Sequence, residues 1–151
     1  MVTQIQFTEQ DWREIPSGFG NGIDISTFDT DVDLFFGSTG TGLSHIIVSG
    51  LEGTSPASWS SGEYWLGIEL ELLEPNATAG AGATITTIKY PILHWKSTET
   101  STAKFQEQAI VLPVMALKRK VNARAKIVAG NGGYTFTSVN ANIQALQTIA
   151  W

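Results

Sequence analysis

Side chains alternate with a period of two over long stretches of this chain, and that restricts it to β-structure. In residues 62–74, Tyr64, Leu66, Ile68, Leu70 and Leu72 share one face and Glu63, Trp65, Glu69 and Glu71 the other. Successive strand residues point to opposite sides of a sheet, so this pattern predicts a half-buried strand. Residues 117–127 repeat the pattern with bases: Leu117, Val121, Ala123, Ala125 and Ile127 line one side, interrupted by Arg119. Lys118, Lys120, Asn122, Arg124 and Lys126 line the other. A helix would scatter those bases around its circumference; a strand gathers them into one stripe.

Further strands are predicted at Val2–Thr8, Val32–Phe36, Leu43–Leu51, Ala83–Tyr90, Ile92–Lys96, Phe105–Met115 and Tyr134–Ala145, separated by segments rich in Gly, Pro, Ser and Asn. Val139, Ile143, Leu146 and Ile149 also fit a helical stripe, but Thr and Asn in the first half of that segment favour a strand. Pro91 and Pro113 fall within strand-like runs and lack the N–H a ladder requires, which predicts an edge, a bulge or a break. Seven to nine short strands without βαβ units predict an all-β, single-domain β-sandwich or jelly roll. The expected division is an N-terminal arm, or first strand plus loop, over residues 1–22, and a sandwich domain over 23–151.

Charge is divided along the chain. Residues 1–74 hold twelve acids and one base, Arg13, whereas residues 75–151 hold eight bases and two acids, Glu99 and Glu107. The simplest reading is that acidic and basic strands meet, within one chain or between chains. If 62–74 and 117–127 are neighbours, Glu63, Glu69 and Glu71 face Lys118, Lys120, Arg124 and Lys126 across a ladder, each pair contributing roughly 0.2–1 kcal/mol. Residues 127–151 carry no charge at all. Interface cores are depleted in charge, so Tyr134, Phe136, Val139, Ile143, Leu146 and Trp151 are candidate subunit-interface residues. An ordinary surface of Thr, Asn and Gln accounts for the same neutrality.

Candidate chemistry is sparse. There is no cysteine, which excludes disulfides, thiolate metal sites and a cysteine nucleophile. Asp29, Asp31 and Asp33 are spaced by two and offer oxygen ligands of the kind Ca²⁺ takes, without the glycine and glutamate of an EF-hand loop; an acidic loop entering a strand is the plainer reading. His45 and His94 have no metal-ligand spacing, and no G-x-S-x-G elbow is present. No catalytic residue is assigned and no enzyme activity is expected. Trp59, Tyr64 and Trp65 are candidates for a sugar-stacking platform, against the alternative that they pack in the core or an interface. The stripe of bases has no aromatic among it for base stacking and the chain is acidic overall, so nucleic acid is not an expected partner. No apolar stretch approaches a membrane span, and the first residues have neither a basic nor an apolar signal region.

Phe36-Gly-Ser-Thr-Gly40 is similar to a motif of trimeric dUTP pyrophosphatases, β proteins of about this length. That family's motif lies near the C-terminus and closes over the nucleotide. Here it stands at residue 36 without the family's other motifs, so no site is carried over. The chain as a whole resembles small virion accessory proteins of tailed bacteriophages, either capsid decoration (cement) proteins or tail and baseplate components. The resemblance rests on Thr/Asn/Gly-rich strands, Gly-rich turns and the run Asn131-Gly-Gly-Tyr-Thr-Phe-Thr-Ser-Val-Asn-Ala-Asn-Ile-Gln144. It implies a non-enzymatic homotrimer, located in the virion, that binds a capsid or tail surface. The alternative is a carbohydrate-binding or lectin-like domain.

Overall fold

The structure is a computed structural model that describes residues 12–14, 23–54, 62–97, 104–106, 110–114, 119–130 and 136–148. The expected strand Val2–Thr8 and the residues Trp59, Tyr134 and Trp151 lie outside them. The described residues form ten strands: β1 Trp12–Glu14, β2 Ile23–Ile25, β3 Val32–Phe35, β4 Leu43–Thr54, β5 Gly62–Leu73, β6 Thr84–Ser97, β7 Lys104–Gln106, β8 Ile110–Pro113, β9 Asn122–Gly130 and β10 Thr137–Thr148. All their pairings are antiparallel. The protein is an all-β sandwich of two sheets, as the alternation predicts.

In the first sheet β10 and β4 are central. The short strands β1 and β2 both pair with β10, and β7 and β8 both pair with β4. The second sheet has the order β3-β9-β5-β6. The pairings nest. The first strands pair with the last, β3 with β9, β4 with β7 and β8, and β5 with β6. One long hairpin of chain, bent between Leu73 and Thr84, is thus rolled up so that its rungs fall alternately in the two sheets.

Each central strand supplies one row of the core. β5 contributes Leu66, Ile68, Leu70 and Leu72, β9 contributes Ala123, Ala125 and Ile127, and β10 contributes Ala141, Ile143 and Ala145, all fully buried. Small alanines on β9 and β10 stand against large aliphatics elsewhere, which lets the layers interdigitate. The row on β4 is Leu43, Ile46, Val48 and Leu51. Its two steps of three residues coincide with irregularities in the β4–β10 register, and Gly50 takes φ 62° at one of them. An extra residue there returns the next side chain to the core.

Proline acts as its chemistry requires. Pro91 stands in β6, the edge of its sheet, opposite Gly67 and beside a register shift that leaves Ile92 unpaired with β5. Pro113 ends β8 at the other sheet's edge. The two edges are tied by the Tyr90 hydroxyl, which donates to the Pro113 carbonyl at 2.7 Å. Burial raises the Tyr90 phenol above its usual range.

Three sequence expectations change. Ala83–Tyr90 and Ile92–Lys96 are one bulged strand rather than two, and Phe105–Met115 is two strands within its described part. The proposed interface residues Phe136, Val139 and Ile143 are core residues, 2%, 4% and 0% exposed within a single chain. Much of the neutral character of the C-terminal quarter thus comes from the sandwich interior, and the expected interface does not include these three. Leu146 lies in β10 by its backbone.

Candidate functional site

The outer face of the second sheet gathers most of the described charge. β9 runs between β3 and β5, and its register sets Lys126 opposite Glu69, Arg124 opposite Glu71 and Arg124 opposite Asp33. The guanidinium of Arg124 donates through Nε to Glu71 Oε2 at 2.5 Å and stands 3.9 Å from Asp31. Lys126 Nζ is 3.0 Å from Asp29 Oδ1 and 3.7 Å from Glu69. Lys89 on β6 meets Glu69 from the other side at 3.7 Å, and the Thr84 hydroxyl donates to Glu71 at 2.5 Å. The acidic and basic halves of the sequence therefore meet within one chain.

Local structure aims these groups. Asp29 has φ 52°, a left-handed conformation that Asp tolerates better than most residues. Its N–H donates to the Ile127 carbonyl at 2.9 Å, which pins the loop before β3 to β9 and points the carboxylate at Lys126. The hydrogen bond from Arg124 holds the Glu71 carboxyl below its usual pKa despite partial burial. Hydrogen bonding to Glu71 raises Arg124, and hydrogen bonding to Asp29 raises Lys126. All three shifts move ionisation away from neutrality, as structural ion pairs do. A general acid or base is instead tuned toward the working pH.

One end of the sheet is stitched by Asn122. It is 2% exposed and the sole buried polar residue among those described. Its Oδ1 accepts from the Gly37 N–H at 3.0 Å and its Nδ2 donates to the Asn76 carbonyl at 3.0 Å. Thr41 and Val121 exchange two backbone hydrogen bonds of 2.8 Å beside it. Gly40, at φ 63°, approaches so closely that a Cβ would lie 2.8 Å from Pro75 Cγ and 2.9 Å from the Val121 backbone. The N–H groups of Gly37, Gly40 and Thr41 are all engaged within the protein. The glycine-rich turn therefore builds the end of the sandwich, and those amides do not face outward as a phosphate cradle.

Of the glycan candidates, Tyr64 lies in β5 by its backbone, opposite Trp95. Trp65 is half-buried, with Gly130 and His94 as cross-strand partners. A Cβ on Gly130 would overlap the Trp65 indole at Nε1, so the ring lies across the bare glycine backbone. His45 stands in the first sheet and exposed His94 in the second. Of the Ca²⁺ candidates, Asp29 and Asp31 face Lys126 and Arg124, and no set of three His, Asp or Glu residues converges among the described residues. Glu63 pairs with Lys96 in register, and Lys120 is exposed before β9. Lys118 lies outside the described residues.

Sequence reasoning missed Asn122 as a clamp and Phe36 as an exposed apolar side chain, 50% accessible at the end of β3. The available signal for Asn122 was its being the sole uncharged member of the basic stripe. No family model, curated protein or solved structure matches this chain.

Proposed function

We propose that this chain is a non-enzymatic structural protein, a jelly-roll subunit of a virion that forms a homotrimer and binds a capsid or tail surface. The observation that carries this reading is the nested strand order. When β1 with β2 and β7 with β8 are each counted as one position, eight positions pair first with last and so inward, alternating between sheets. This order supports a jelly-roll reading, a plan that recurs in capsid and lectin domains. The charged groups on the outer face serve the framework: Arg124 and Lys126 on β9 tie β5 to the loop between β2 and β3. A symmetric oligomer on a repeating surface gains avidity with no catalytic step.

The second reading is a glycan-binding module, favoured by the indole of Trp65 lying half-buried across Gly130. A Trp65→Ala variant separates the two. Under the virion reading it keeps the wild-type solution mass and the wild-type chain shows no retention on a glycan array. Retention by the wild type that Trp65→Ala abolishes, with the fold intact, selects the module instead.

A further inference from the structure

The two lateral edges of the second sheet have complementary chemistry. At the β3 edge, Asp29, Asp31 and Asp33 gather beside β9, and the first two are 62% and 40% exposed. The aspartates share Arg124 and Lys126 with Glu69 and Glu71 of β5, and Lys89 meets Glu69 from the far side, so five carboxylates face three bases and the surplus of negative charge lies toward β3. Phe36, the residue after β3, is half accessible. Beside it a recess of about 340 Å³ opens between β2 and β3, lined by Ile23, Asp33, Leu34, Phe35 and Phe36.

The β6 edge carries the opposite features. Lys89 is 61% exposed although its ammonium lies 3.7 Å from Glu69, so it keeps an open side toward a neighbour. Ile85, Ile88, Tyr90 and Ile92 pack against the core yet remain half-buried. Two of them, Ile85 and Ile92, are the extra residues at register shifts, displaced from the ladder with β5. Among the described residues no strand pairs with the outer side of β6. An unpaired strand edge is a template for another chain.

We infer that the β3 edge of one copy docks against the β6 edge of the next, head to tail, with the occupant of each edge a second copy of this chain. Phe36 and the recess receive the isoleucine row, and the aspartates meet Lys89. Burying an aromatic with oppositely charged groups around it is the arrangement protein interfaces favour. Such a contact is heterologous: it uses two different surfaces of one subunit, and it generates a ring where the rotation closes. The inference rests on the oligomeric reading above and specifies which surfaces build the oligomer.

The test is solution mass by light scattering on a sizing column, for the full chain, Phe36→Asp, Lys89→Glu and an equimolar mixture of the two variants. Circular dichroism verifies each fold, and Phe36→Ser replaces Phe36→Asp if the latter does not fold. The wild type is expected to run as an oligomer and each variant alone at the 16.3 kDa of one chain. The mixture is expected to stop at the dimer, because only one intact pair of edges remains between the two variants. If Phe36→Asp keeps the wild-type mass, the inference falls while the assembly reading stands. If the mixture stays monomeric, or if it regains the full oligomer, head-to-tail docking is wrong. A wild type that is monomeric throughout a dilution series overturns the assembly reading, and the inference with it.

Discussion

At the scale of single residues, two side chains show how local chemistry sets the fold's ends. Asn122 replaces a charge in the basic stripe because its position lies beneath two loops. An amide can both accept from Gly37 and donate to Asn76 there, whereas an ammonium group would be buried without a counter-charge. Asn122→Leu leaves both backbone groups unpaired, and a loss of about 2–3 kcal/mol is expected in urea unfolding. Asn122→Asp keeps the acceptor, loses the donor and adds a buried charge, so it should not rescue. Gly130 is required because the Trp65 indole occupies the space of its Cβ. Gly130→Ala is expected to push the ring outward, lowering stability by about 1–3 kcal/mol. The displaced indole should appear as a shifted side-chain resonance in NMR; an unmoved resonance and unchanged stability would contradict the packing.

At the scale of elements, the β3-β9-β5 ladder explains the division of charge along the sequence. The first half is acidic and the second basic because nesting lays a late strand between two early ones. The pH dependence follows from its ionisations. The folded pKa of Glu71 lies below its ordinary value of 4.5, so its contribution is complete above that value and is lost as pH falls through the depressed one. Lys126 is raised, so its contribution is complete below 10.5 and is lost as pH rises through the raised value. Glu71→Gln should therefore cost about 1 kcal/mol at neutral pH and less in acid. Thermal melts between pH 7 and acid check this, and an equal cost at both would contradict the ion pair.

Much of this scale was legible in the sequence. The alternation in 62–74 identified β5, its inner face and the Glu–Lys/Arg partnership with β9, because a period-two pattern states strand, face and buried side together. What was not legible depends on tertiary partners. β1 and β2 are three residues each, too short to show a period, and their pairing with β10 comes from chain more than a hundred residues away. Pro91 read as an edge, a bulge or a break; it stands at a bulge in an edge strand, and what was not legible was that the strand continues through it. The neutrality of the C-terminal quarter read equally as an interface or as a plain surface. The apolar positions Phe136, Val139 and Ile143 lie in the core instead, and composition alone carries no information on which partner covers an apolar row.

At the scale of the whole molecule, the rolled hairpin makes nearly every stabilising contact non-local. Trp12 is paired with Thr148 and Ile23 with Ile143, so the outermost rungs close only after most of the chain is in place. Topologies dominated by non-local pairing fold in roughly milliseconds to seconds. Stopped-flow refolding in that range is expected, and a submillisecond phase with full amplitude would contradict the nesting. The central claim is that the first strands lie against the last. The chain has no cysteine, so an engineered pair reports this without background. Asp24 and Asn142 are register partners whose side chains are hydrogen-bonded at 2.9 Å on the outer face of the first sheet. The decisive measurement is the disulfide yield of Asp24→Cys with Asn142→Cys under mild oxidation, beside Asp24→Cys with Asn140→Cys as control. The account predicts near-complete closure for the first pair, a rise in thermal midpoint on oxidation, and little closure for the control. Equal yields, or closure favouring the control, would contradict the pairing of first strand with last.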